Sequence, residues 1–412
     1  MIVADPLPED WNKVQRYAPW MRKVHLDDWL VLGEDAILKL RLNSPVGGWF
    51  PALQKFTRST LPYASLCFSP HLSKVSIKMA LIGGSGVPRD ILPTVASALS
   101  ALPTSNLQSL RADVGYDVPW TYYKDTFSSL LLHCGPSLTK FACRAPLSDA
   151  AINHLVHLPN LHSWTTNSPP PNYSTSPLPV PLGFPPLTQF TLGGDSARGW
   201  ISLFGRLATG VPCVGGTTPL SKTRESLETL NIIKFPNPII DVSVVSPIQI
   251  FHNLAFLNVV ANCVDRDDDG QCTFELNDDD IARLTMALPR LTFLRLGHPC
   301  SKNTCATTIA CLLSISVHCL ELKSLWIHFN TRDIVEDFKS VSTDPRFEQL
   351  RSLPRCPLSR LEVWRVPLTL DEPGFEVVVN GVIDIFPSLE FCNGLERAWE
   401  GVSERISKLR EM

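Results

Sequence analysis

The sequence predicts an α/β solenoid, a curved parallel sheet with helices and loops on its convex side, and three observations carry that prediction. A short apolar phrase recurs along the chain. Thirty-five prolines among 412 residues cut the chain into short elements. Two separated segments also align with each other as helix-to-strand units. The phrase is an apolar residue, two others, an apolar residue, one other, an apolar residue. It reads LSKVSI at Leu72, LQSLRA at Leu107, LTKFAC at Leu138, LHSWTT at Leu161 and LTQFTL at Leu187. It continues as LETLNI at Leu227, LAFLNV at Leu254, LTFLRL at Leu291, LKSLWI at Leu322 and LSRLEV at Leu358, with weaker forms at Met21, Leu53 and Leu389. Alternate side chains of a strand face the same way, so the last two apolar positions of each phrase point inward together. Such a unit buries its apolar face only against its neighbours, which is the logic of an irregular leucine-rich-repeat solenoid. Successive phrases lie 19 to 40 residues apart, hence the expected irregularity.

In chain order, residues 1–20 are expected to cap the N-terminus, 21–394 to form about 13 repeats, and 395–412 to close the array. Helices are expected near 90–101, 124–133, 247–252, 278–288, 306–319 and 374–385. Segments 147–164 and 276–294 align Leu147 with Leu276, Ser148 with Asn277, Asp149 with Asp278 and Ile152 with Ile281. In both, Ser or Asn followed by Asp stands where an N-cap and an acidic first turn belong. The stretch 168–186 holds eight prolines and reads as an extended bridging loop. Leu395, Trp399, Val402, Ile406 and Leu409 recur at helical spacing, which suits a helix closing the last repeat; a partner-binding amphipathic helix is the other reading. Trp164, Phe190, Leu257, Leu294 and Leu325 take the second apolar position of their phrases and are expected in the core.

Composition narrows the function. With 44% hydrophobic and 19% charged residues the chain reads as a folded soluble protein. A net charge of -3 predicts no bulk affinity for nucleic acid or an anionic membrane. No charge-free run approaches the ~18 residues of a membrane span. The 12 cysteines sit mostly in apolar runs such as IACLLSI around Cys311, where Cys acts as a small hydrophobe. A reducing compartment, cytoplasm or nucleus, is therefore expected.

Three stretches invite chemistry. CVDRDDDGQCTFELNDDD, 263–280, places Asp265, Asp267 and Asp269 before Gly270 like the opening of an EF-hand loop, but the closing position holds Leu276 and the upstream segment reads as a strand. The reading is a solvated loop leading to helix-start aspartates 278–280, with a weak Ca²⁺ site at Asp265, Asp267 and Asp269 as the alternative. His298, Cys300, Cys305, Cys311, His318 and Cys319 have the residue types of a zinc site, but Cys311 falls on an apolar helical face, so buried thiols are the simpler reading. GGSG at 83–86 lacks the following Gly-Lys-Ser/Thr of a phosphate loop. There is no GxSxG, no HExxH and no Cys/His nucleophile pair. The expectation is a non-enzyme without cofactor or metal.

The residues between the inward positions are expected on the concave face. In the N-terminal half these are Lys23, Lys55, Lys74, Lys78, Arg111, Lys140 and Arg144; in the C-terminal half they are Phe256, Phe293, Arg295, Trp326, His328, Arg360 and Trp364. Cations along an arc steer acidic or phosphorylated segments, and exposed Trp and Phe beside Arg is the composition of interface hot spots. A protein partner follows, with an acidic stretch on the lysines and an apolar anchor near Trp326 and Trp364. The other reading is a solvated face whose lysines keep the strands soluble.

PLPEDWNKVQRYAPWMRKVHLDD (6–28), PLSDAAINHLVHLPNLHSWTTNSPPP (146–171) and LGHPCSKNTCATTIACLLSISVHCLELKSLWIHFNT (296–331) resemble the leucine-rich-repeat region of basidiomycete F-box-like proteins. The resemblance implies a substrate-binding part of a ubiquitin-ligase receptor, whose F-box docks a Skp-type adaptor. The matching segment begins within ten residues of Met1, so the F-box is expected to be absent from this sequence, and the adaptor is an expected partner only where an F-box precedes it. The alternative is a repeat scaffold or ion-regulated binder unconnected with ubiquitin ligases.

Overall fold

The computed structural model describes residues 12–13, 16–26, 50–58, 68–79, 102, 104–114, 124–167, 186–193, 199–201, 204, 224–235, 239–261, 273–297, 305–345, 354–363, 371–394 and 397–411. The chain divides into two compact units, Met1–Leu187 and Thr188–Met412. Their boundary follows directly on the proline-rich stretch 168–186, which lies outside the described residues except for Pro186, as does the expected helix at 90–101.

In the first unit six strands, β1 (Lys23–Leu26), β2 (Lys55–Arg58), β3 (Lys74–Met79), β4 (Ser109–Val114), β5 (Lys140–Cys143) and β6 (Ser163–Thr166), pair in chain order, every pair parallel. Helices α1 (Lys124–Leu132) and α2 (Asp149–Val156) lie between the later strands. The second unit builds a sheet by the same rule from β7 (Gln189–Gly193), β8 (Thr229–Phe235), β10 (Phe256–Ala261), β12 (Phe293–Gly297), β13 (Ser324–Ile327), β14 (Arg360–Val363) and β15 (Phe391–Gly394). A separate two-stranded parallel sheet joins β9 (Ile239–Ile240) to β11 (Thr273–Phe274). Its helices are α3 (Val242–Val245), α4 (Asp278–Ala287), α5 (Ala310–His318), α6 (Ile334–Ser342), α7 (Glu372–Ile385) and α8 (Arg397–Glu411). Parallel strands that pair in the order in which they follow along the chain are the arrangement of a leucine-rich-repeat solenoid.

The repeated phrase explains this register. In all ten full phrases, from Leu72 to Val363, the three marked positions are buried, Thr166 among them. The second positions stand in one row across neighbouring strands: Val75, Leu110, Phe141 and Trp164 in the first unit, and Phe190, Leu230, Leu257, Leu294, Leu325 and Leu361 in the second. A one-residue slip would turn every such row out to solvent. The five positions expected in the core are all there. Of the weak phrases, Leu53 and Leu389 are buried, whereas Met21 stays 42% exposed at β1, which has a neighbour on one side only among the described residues.

The aligned helix starts are real N-caps. The Ser148 hydroxyl accepts the Ala151 N–H, and Asn277 and Asp280 form a reciprocal capping box at α4. The Asp278 carboxylate accepts the backbone N–H of Thr308 at 2.9 Å and its hydroxyl at 2.7 Å. This tie occupies Thr308, and α5 begins only at Ala310 instead of near 306. Pro247 stands in the first turn of a 3₁₀ segment, Ser246–Ile250, where a helix over 247–252 was expected. Helix α6 was not expected from the sequence. At the C-terminus α8 lies on β15 with Trp399, Val402 and Ile406 buried. Gly394 permits this, since a Cβ there would lie 2.5 Å from Trp399 Cδ1. Leu409 is half-buried, and Leu395 lies outside the described residues.

Candidate functional site

Burial of one side of each strand leaves the alternate residues on an open face, and the two units use that face differently. In the first unit Lys23, Lys55, Lys74, Ser109, Lys140 and Ser163 form one register row across β1 to β6. Beside it runs His25, Thr57, Ser76, Arg111, Ala142 and Thr165. Lys23, Lys55, Lys74, Arg111 and Lys140 are exposed, and Arg144, just past β5, is half-buried. Lys78 pairs in register with Asp113, but the side chains of both lie outside the described residues.

In the second unit the corresponding rows are Gln189, Thr229, Phe256, Phe293, Ser324, Arg360 and Phe391, and Thr191, Asn231, Asn258, Arg295, Trp326, Glu362 and Asn393. In-register neighbours stack: the Phe256 and Phe293 rings are parallel within 3°, with centroids 4.1 Å apart. The Arg295 guanidinium lies 4.2 Å from the centre of the Trp326 ring, and Arg360 lies 5.7 Å from it and 5.1 Å from that of Phe391. A cation over an indole face is attracted to the ring quadrupole by about 0.5–2 kcal/mol. Burial pulls the Arg295 pKa below its ordinary value, and the Glu362 carboxylate opposes that shift; a guanidinium nevertheless stays charged. Glu362 also binds Arg360 through both Nε and Nη2. The carboxylate thus holds Arg360 alongside Trp326. On the other flank Asn231 donates to Thr191 Oγ1 at 3.4 Å and Asn258 donates to Asn231 Oδ1 at 3.3 Å, a polar ladder along the same row.

Of the expected residues, the structure gathers Phe256, Phe293, Arg295, Trp326 and Arg360 on one face. His328 is a correction: it is buried, 3% exposed, because β13 ends at Ile327 and the alternation ends with it. Its ring faces Phe274 at 6.1 Å, and its carbonyl accepts the Cys305 thiol. Trp364 lies outside the described residues, as do Asp265, Asp267 and Asp269 of the acidic loop. Two contributors were missed. Phe391, 40% exposed, lies within the weak phrase that starts at Leu389 and falls in the row of Arg360; Glu362 falls in the row of Trp326. The same alternation rule marks both.

Among the described residues no group of three or more His, Cys, Asp or Glu is placed to hold a metal ion. His298 and Cys300 lie outside them. Cys305, Cys311 and Cys319 are buried, and burial pushes their thiols up, to about 11 for Cys305 and about 12 for Cys319. No described helix is long and apolar enough to cross a membrane.

No family model matches the chain, and no curated protein matches it. Among solved structures, the crystal structure of a TLR13–ssRNA13 complex is similar to it at 14% identity and a TM-score of 0.41, covering 84% of this chain and 40% of that one. This chain therefore spans less than half the length of the chain it matches. The repeat architecture stands on the strand order, the register and the buried rows of this chain itself.

Proposed function

We propose that this protein is a non-catalytic recognition module whose second unit anchors a protein partner on the open face of its sheet. The observation that supports this most is the Trp326 indole held between Arg295 and Arg360, with the Phe256–Phe293 stack on the adjoining strands. Trp and Arg dominate binding energy where they are rigid before the partner arrives, because little side-chain freedom remains to be lost. Glu362 supplies that rigidity for Arg360. The resemblance to F-box-like proteins extends the proposal to the substrate-binding part of a ubiquitin-ligase receptor, with a Skp-type adaptor bound only where an F-box precedes this sequence in the reading frame.

The test is capture of partners from the native host with and without nuclease, followed by rebinding of the purified partner to wild type, Phe293→Ala/Trp326→Ala and Met286→Ala. Met286 is an exposed apolar residue on α4, away from the sheet face, and serves as control. A protein should be retained after nuclease treatment, bind the double variant roughly tenfold or more weaker, and bind Met286→Ala as wild type. Loss on nuclease treatment would assign the face to single-stranded nucleic acid, whose bases also stack on aromatics, and would overturn the proposal. So would wild-type binding by the double variant.

A further inference from the structure

The open face of the first unit carries a charge pattern that fold maintenance does not explain. Lys23, Lys55 and Lys74 stand directly beside one another on three adjacent strands, Lys140 continues their row two strands further on, and Arg111 fills the intervening strand one row over. Every strand from β1 to β5 thus places one lysine or arginine in these two rows. Neither row contains an aspartate or glutamate, and among the described residues no carboxylate pairs with Lys23, Lys55, Lys74 or Lys140. Like charges directly opposite on neighbouring strands destabilise a sheet. Lysines protect sheet edges against pairing, but Lys55 and Lys74 are on inner strands. Solubility alone would be served as well by mixed charge, which removes the repulsion.

We propose that this row is a second docking track, for an extended acidic segment of the partner protein, running across the strands from β1 to β5. The inference rests on the recognition reading above and names the chemistry of a separate surface. Strands lie ~4.8 Å apart and an extended chain rises ~3.3 Å per residue, so five strands, about 19 Å, match about six residues of extended polypeptide. The flexible lysine stems reach carboxylates on either side of that path, while Ser109, Thr57 and Ser76 among them can bond its backbone. Single-stranded nucleic acid fits less well. The rows hold no Phe, Tyr or Trp on which bases stack, and a net charge of -3 gives the whole chain no excess of cations.

The experiment uses the full chain and a fluorescein-labelled hepta-glutamate peptide, followed by anisotropy at about 50 and about 200 mM NaCl, with labelled decauridylate as second probe. The peptide should bind, weaken with salt, lose roughly tenfold or more in affinity to Lys55→Glu/Lys74→Glu, and be unaffected by Phe293→Ala/Trp326→Ala. The oligonucleotide should bind more weakly. No peptide binding to wild type, equal binding to the lysine variant, or oligonucleotide binding as tight as the peptide's and lost with the lysines, each overturns the track. Failure here leaves the aromatic surface standing, because that surface is judged by the captured partner and by variants in the other unit. A ligand-free readout accompanies it. Lys55→Gln/Lys74→Gln should raise Tm at low salt, with the gain shrinking at high salt as the repulsion is screened; a lowered Tm would mean that the lysines serve the fold, and would overturn the proposal.

Discussion

The first unit lines its open sheet face with lysines, the second with phenylalanine, tryptophan and arginine, and both do so on the same backbone. Phe141 beside Trp164 and Leu294 beside Leu325 do the same work at the second apolar position, buried and in register. Lys74 beside Lys55 and Phe293 beside Phe256 hold equivalent open positions with opposite chemistry. What differs between the units is therefore what packing leaves unconstrained. An inward side chain is selected by the interior it fills; an outward one on a parallel strand needs only to tolerate its two neighbours. Those positions carry recognition because the scaffold does not need them.

If the scaffold is common, its failure should be common too. Trp164→Ala should destabilise by about 3–5 kcal/mol and Leu294→Ala by about 2–5 kcal/mol, read from urea unfolding. Wild-type stability in either would break the register on which the comparison stands. A smaller loss, about 1–3 kcal/mol, is expected where a glycine is needed. Gly297 ends β12 at a φ of 138°, a conformation that side chains rarely adopt, and Gly394 leaves room for the Trp399 indole. Alanine at either should lower Tm, and a rise would show that the strand end or α8 can shift freely. The smallest expected effect is none. Burial pushes Cys134 of the first unit up to about 12, and Cys356 and Cys392 of the second to about 11 and about 12. These thiols stay protonated at pH 8 and ionise only as pH rises towards those values. Iodoacetamide at pH 8, read peptide by peptide, should label none of the three until the protein is unfolded; rapid native labelling of one unit's cysteines alone would show that its interior opens.

The fold was legible because one constraint repeats: Leu, then two apolar positions on a single strand face, at ten places in a row. The N-caps at Ser148 and Asn277 were legible for a similar reason, a polar side chain at a fixed offset before an apolar period. Less legible was the brace between repeats. The hydroxyls of Ser73, Thr139, Thr292 and Ser359, each following the first Leu of its phrase, donate to carbonyls of the preceding repeat at 2.9–3.3 Å. The signal is the recurring Leu-Ser/Thr pair, hidden because Ser and Thr are also ordinary turn residues. For the surface, alternation found Trp326 and Arg295 but misplaced His328, since nothing in the local pattern says that β13 stops one residue earlier. The closeness of Arg295, Arg360 and Glu362 around Trp326 depends on which strands become neighbours, and a pairing across 31 to 36 residues is invisible to any local period.

The most direct test of the division between the two faces is the binding kinetics of the captured partner. Its association and dissociation should be followed over a range of salt for wild type, Lys55→Glu/Lys74→Glu and Phe293→Ala/Trp326→Ala. The lysine variant should chiefly slow association and flatten its salt dependence, whereas the aromatic variant should chiefly speed dissociation. Wild-type rates in both variants, with binding abolished instead by a change among the helices, would contradict that division.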